Sequence, residues 1–247
     1  MPSAEQPHLT IVADAAALAA SAADRFVALA QAAIDARGIA NVALAGGSTP
    51  KAMNMLLAAK PRRDAIDWRA VRFFFGDERC VPPDHPDSNY RMTCETLLAP
   101  LAIADAQVFR MRGEDEPHAA ADAYDALLAG ELGDLPIFDA VFLGMGPDGH
   151  TASLFPGTIA SIDDRRRVVA NFVPKFQAFR LTLTPHVLTA ARELTVTAGG
   201  AEKATALMQV LSGIANPDLY PAQLMASAGD RLTWLVDADA AGALSHP

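Results

Sequence analysis

The chain has 247 residues, 51% of them hydrophobic and 20% charged, which is enough apolar sequence for one large globular domain spanning 1–247. Its formal net charge of −9 excludes a general affinity for nucleic acid or an anionic membrane, since both need a basic surface. An anionic small-molecule ligand remains open, provided that cations cluster locally.

The opening MPSAEQPHLT has neither the basic nor the apolar region of a signal peptide, and no apolar run approaches the ~20 residues of a membrane span. LTIVA (9–13) predicts a strand, followed by an alanine-rich amphipathic helix over 14–37 with Asp14 and Gly38 as caps. NVALAGG (41–47) is an apolar run ending in glycines. A helix follows over 48–57, with Ser48 or Thr49 as its cap and Pro50 in the first turn. VRFFFGDE (71–78) predicts a strand, 81–88 a rigid proline-rich loop, and SNYRMTCETLL (88–98) a capped helix. QVFRM (107–111), a helix near 117–130 and DAVFLG (139–144) continue the alternation. The second half adds strands at 166–173, 179–184, 193–200 and 231–236, with helices at 185–191 and 202–212.

Apolar strands without clean polar alternation, separated by helices, imply an α/β fold whose mostly parallel sheet is covered on both faces. FRLTLT and ELTVTAG do alternate, which places an antiparallel or edge section there. No repeat or linker divides the chain. Cys80 and Cys94 form no disulfide framework or metal-type spacing, and two free thiols fit a reducing cytoplasm.

Ligands of such folds bind at the carboxyl ends of the strands, and that is where the chemically capable residues fall. AGGSTP (45–50) offers Gly46 and Gly47 for close backbone approach, with Ser48, Thr49 and free helix N–H groups for an anion. An ordinary strand-to-helix turn has the same composition. GDER places Asp77, Glu78 and Arg79 directly after an apolar strand.

Phe142–Gly157, FLGMGPDGHTASLFPG, contains a G-x-G-x-x-G spacing, the outline of a dinucleotide turn. A dinucleotide turn needs a helix after the third glycine. Here Pro156 and Gly157 limit any helix to about two turns, and Asp148 would repel a diphosphate. The loop instead presents Asp148 and His150, and a neutral histidine is a competent general base. Lys175, Arg180 and Lys203 are the cations an anionic substrate needs, although each alone reads as a solvated charge. The six histidines are scattered without metal spacing, and no serine-hydrolase elbow is present.

Together, AGGSTP, FFFGDERCVPPDHPDSNYRM, FLGMGPDGHTASLFPG, VPK with RLTLTP, and GGAEKA resemble the 6-phosphogluconolactonase family from about residue 10 to 236. The related glucosamine-6-phosphate deaminases share a glycine-rich first turn and a DGH element. They differ where this chain has Asp77-Glu78-Arg79, and they carry an acid where this chain has LFPG. The resemblance implies a Rossmann-like three-layer α/β sandwich similar to ribose-5-phosphate isomerase and CoA transferases. It implies hydrolysis of 6-phospho-D-glucono-1,5-lactone in the pentose phosphate pathway, in the cytoplasm, by a monomer or homodimer without metal or organic cofactor.

In that reading His150 takes a proton from water, Asp148 or Asp77 orients His150 or the sugar hydroxyls, and Arg79 serves either the carbonyl charge or the phosphate. Gly46, Gly47, Ser48, Thr49, Lys175, Arg180 and Lys203 hold phosphate and sugar. Phe176 departs from a proline common in the family. Two other classes stay open: an amino-sugar-phosphate deaminase, and a sugar-phosphate sensor that binds without turnover.

Overall fold

The structure is a computed structural model that describes residues 7–159, 162 and 165–244. In chain order its first half runs β1 (His8–Val12), α1 (Ala15–Arg37), β2 (Ala40–Leu44), α2 (Ser48–Leu57), β3 (Val71–Phe75), β4 (Asp77–Arg79), α3 (Asn89–Thr93), β5 (Val108–Phe109) and α4 (Pro117–Leu132). The second half runs β6 (Ala140–Gly144), β7 (Val168–Val173), β8 (Ala178–Leu183), α5 (Pro185–Thr189), β9 (Leu194–Ala198), α6 (Ala204–Ser212) and β10 (Leu232–Asp237). Seven strands form one sheet in the order β1-β10-β9-β6-β2-β3-β5, and every pair in it is parallel. β4, β8 and β7 form a second, antiparallel sheet.

The near-continuous apolar strands are explained by two cores, one on each face of the main sheet. Leu18 and Phe26 of α1, with Met53 and Leu57 of α2, pack on Val42, Leu44, Phe73 and Phe142. On the other face Tyr124 and Leu128 of α4, with Val187 and Leu207, pack on Ala43, Phe74, Val141 and Leu143. Alternate residues of one strand therefore feed opposite cores. Phe73 and Phe74 are both fully buried, each worth roughly 1.5–3 kcal/mol.

Helix α1 has the expected caps: Asp14 accepts a hydrogen bond from the Ala17 N–H at 2.8 Å, and Gly38 takes a left-handed conformation at φ 77°. This helix is long and apolar enough to cross a membrane by composition alone, contrary to the sequence expectation. Leu18, Ala22, Phe26, Ala30 and Ala33 are buried in the core, as in a core helix of a globular fold.

Three expectations need correction. Helix α2 is capped by Gly47 (φ 116°), not by Ser48 or Thr49, and it has no side-chain cap. VRFFFGDE is not one strand: at Gly76 the chain leaves the main sheet and DER joins the small one. Gly76 bridges the two sheets, since its N–H donates to Leu44 O and its carbonyl accepts from Leu183 N. The alternation in FRLTLT does mark an antiparallel strand, β8, but ELTVTA is the buried strand β9, flanked by β10 and β6. Its polar positions are satisfied inside: Thr195 Oγ1 accepts from Arg25 Nε at 2.9 Å, and Thr197 Oγ1 donates to Leu143 O at 3.1 Å.

Candidate active site

From β2 the chain progresses outward through β3 to β5. From β6 it progresses the other way, through β9 to β10. Adjacent β2 and β6 thus form the topological switch point, where two diverging loops leave a crevice at the carboxyl edge. A cavity of about 290 Å³ lies there, lined by Gly46–Thr49 after β2, Asp77 after β3, the loop after β6, and Lys203 after β9. Arg79 and Arg180 of the small sheet close it.

Residues 145–158, after β6, make no helix. They form turns, and Thr151 pairs with both Met145 and Leu154. Thr151 Oγ1 donates to Gly144 O at 2.9 Å, folding the loop back on its strand. A Cβ at Gly146 would lie 2.0 Å from His150 Cε1. Gly149 sits at φ 74°, and a Cβ there would lie 2.8 Å from Tyr220 Cδ1. The second glycine makes room for the imidazole and the third makes the turn behind it, so the dinucleotide-like spacing serves the histidine.

His150 Nδ1 lies 2.5 Å from Asp148 Oδ1, and Lys175 Nζ donates to Asp148 Oδ2 at 2.8 Å. Burial raises the Asp148 carboxyl, but the hydrogen bonds from His150 and Lys175 outweigh it and hold Asp148 below the usual carboxylate range. An ionised Asp148 only accepts, so Nδ1 carries a proton, and in the neutral ring the free lone pair is on Nε2. Phe155 stacks on the imidazole with ring centroids 4.1 Å apart, and Phe176 meets Phe155 edge-on at 5.5 Å.

Three cations line the cavity: Arg79, Arg180 and Lys203. Among the described residues none of them has a carboxylate within salt-bridge distance. Arg79 and Arg180 are direct cross-strand partners, a like-charge pairing that costs stability unless an anion joins it. Burial lowers the pKa of Arg180 and of Lys203, and the nearby Arg79 charge lowers Arg180 further. The N-terminus of α2, without a side-chain cap, adds the N–H groups of Ser48 and Thr49 and the positive end of the helix dipole.

Lys175 is placed differently from the sequence expectation. It does not line this cavity but stands behind Asp148, half exposed, as the third member of the Lys175–Asp148–His150 chain. Asp77, 6% exposed, does not contact His150; it accepts from Ser153 Oγ at 2.7 Å and from Asn89 Nδ2 at 3.2 Å. Of the two acids left open by the sequence, Asp148 is the one that contacts His150. Glu78 faces inward and caps α3, accepting from the N–H groups of Arg79, Asn89 and Tyr90 and from Ser88 Oγ at 2.7–3.0 Å. Burial raises its pKa against those hydrogen bonds.

Asn89, Ser153, Phe155 and Thr197 line the cavity without having been predicted individually. Their motifs stood out, but short polar residues on strand ends and helix starts carry no signal of which way they face. No group of three or more His, Cys, Asp or Glu side chains forms a metal site among the described residues, and Cys80 and Cys94 are free thiols.

The model of the family described as glucosamine-6-phosphate isomerases/6-phosphogluconolactonase matches residues 13–234. The chain belongs to this family. A 6-phosphogluconolactonase of Treponema pallidum is 43% identical over 175 residues, covering 69% of this chain and 72% of the relative. One from Synechocystis is 40% identical over 214 residues, covering 84% and 86%. The solved 6-phosphogluconolactonase from Trypanosoma cruzi superposes with a TM-score of 0.87 at 30% identity, covering 98% of each chain. Within the family these relatives carry the lactonase name, and the chain is a member of that 6-phosphogluconolactonase branch.

Proposed function

We propose that the protein hydrolyses 6-phospho-D-glucono-1,5-lactone to 6-phospho-D-gluconate, the lactone-opening step of the oxidative pentose phosphate pathway, in the cytoplasm. The observation that carries the mechanism is the oriented imidazole: with Nδ1 committed to Asp148, Nε2 is the basic nitrogen beside a cavity holding three cations without ion-pair partners. His150 Nε2 takes a proton from a water whose oxygen attacks C1. The C1–O5 bond then breaks, and the proton held on Nε2 passes to the departing ring oxygen. The second proton of the water stays on the new carboxyl group and leaves to solvent as the gluconate forms.

The phosphate sits at the α2 N-terminus with Lys203 and Arg180, and Arg79, directly across the strand pair from Arg180, adds its field to the same anion. Asp148 stabilises the imidazolium that forms during attack, and Lys175 keeps Asp148 ionised and in place. General-base catalysis of ~10²–10⁴-fold with positioning suffices for a lactone that already hydrolyses spontaneously.

The test is the loss of freshly generated lactone in the presence of the enzyme. The expected result is acceleration above the spontaneous rate, with no ammonia released from glucosamine 6-phosphate. His150→Ala loses ~10²-fold or more in kcat while 6-phosphogluconate still binds. Absence of acceleration by the folded protein refutes the reading, and binding of 6-phosphogluconate without turnover turns it to the sensor class.

A further inference from the structure

The cavity that holds the cations also has a polar atom that the protein itself leaves unpartnered. Asn89, only 1% exposed, lines the cavity, and its Oδ1 has no hydrogen-bond partner. Its orientation is set by its other end: Nδ2 donates to Asp77 O at 2.9 Å and to Asp77 Oδ1 at 3.2 Å, so the carbonyl end faces away from Asp77. The backbone is fixed as well, because Asn89 N–H donates to Glu78 Oε1 at 2.7 Å. On the loop after β2, Gly46 approaches so closely that a Cβ there would lie 1.8 Å from Asn89 Oδ1. Native structures rarely leave such a buried acceptor unpaired unless a ligand completes it.

The chemistry of this wall is one-sided. Asn89 Oδ1 accepts, and beside it the Asp77 carboxylate, held by Ser153 Oγ at 2.7 Å, only accepts. Such a wall repels a phosphate oxygen and attracts a hydroxyl. A second orphan in the same cavity, Arg79 Nε, is a donor and takes the opposite part.

We propose that Asn89 is a specificity-determining residue whose side-chain carbonyl accepts a hydrogen bond from a ring hydroxyl of the sugar lactone. The acceptors thus take the hydroxyls of the substrate, and the cations of the same cavity take its phosphate. This rests on the lactonase reading above, and it goes beyond it by naming the group that recognises the polyol edge.

The experiment compares kcat/KM for 6-phosphogluconolactone and its 2-, 3- and 4-deoxy analogues, in the wild-type enzyme and in Asn89→Ala. The expected result is one deoxy analogue losing about tenfold or more in the wild type and close to nothing further in the variant, because the variant no longer reads that hydroxyl. A merely structural role for Asn89, tethering Asp77, slows all four lactones by one common factor and leaves every deoxy penalty intact. That outcome overturns the proposal, as does a wild type indifferent to all three deletions. Circular dichroism checks the fold, and if Asn89→Ala does not fold, Asn89→Ser carries the same comparison. A wild type that fails to accelerate loss of the parent lactone refutes the lactonase reading itself, separately from Asn89.

Discussion

Gly146→Ala tests the claim that the glycine pattern serves His150. The added Cβ would lie 2.0 Å from His150 Cε1 and 2.1 Å from Nδ1. Non-bonded carbon atoms settle at ~3.5 Å or more, so the ring must retreat by about 1.5 Å. Retreat is obstructed by Phe155, stacked at 4.1 Å, and it lengthens the 2.5 Å contact with Asp148 that fixes the tautomer. A misplacement of ~1 Å can cost ~10²-fold in rate, or roughly 2.7 kcal/mol of barrier. Stability falls by about 1–3 kcal/mol, the usual cost of forcing extra volume into a packed contact. The assay is steady-state loss of fresh lactone, corrected for the spontaneous rate, beside urea unfolding. We expect kcat down ~10²-fold with 6-phosphogluconate affinity within a few-fold. A variant retaining kcat within about twofold would show that the histidine does not need this space.

Two further substitutions address the surroundings of the site. Asp148, held below the usual carboxylate range, contributes stability that is fully present above about pH 4 and drains away as pH falls through its depressed folded-state value. Lys175→Met removes one of its two side-chain donors, so stability should depend less steeply on pH below about 4; identical slopes in urea titrations would place Lys175 outside the pair. At pH 7 the same change costs less than ~1 kcal/mol, since the lysine is half exposed and the pair is screened. Gly130→Ala, on the exposed face of α4 with nothing within 4 Å of its Cβ, should add about 0.4–1 kcal/mol of stability and leave turnover unchanged; a lower unfolding midpoint would contradict the helix assignment there.

Much of the site was legible because chemistry in an open α/β sheet collects at strand ends, and strand ends are marked by glycines and charges. AGGSTP, GDER and DGH each follow a buried apolar strand, and one cavity is lined by residues of all three, the last through His150. Lys175 was misplaced because a lone lysine in a loop has no periodicity to aim it. Its partner, Asp148, lies 27 residues away in sequence and adjacent only in the fold. ELTVTA read as an edge because threonine alternation looks half-polar, and only the packed structure supplies Arg25 and the Leu143 carbonyl that satisfy those hydroxyls inside a central strand.

The residues alone determined the α/β class, the cap residues of α1, the motif set of the family, and the candidacy of His150 as base. These rest on local propensity and on side-chain chemistry, which neighbours in sequence suffice to express. The tertiary structure decided which acid contacts that histidine, that Gly76 passes the chain from one sheet to another, and that Asn89 offers a bare acceptor to the cavity. Each of these depends on groups brought together across strands, where distance and desolvation, rather than sequence spacing, set the interaction.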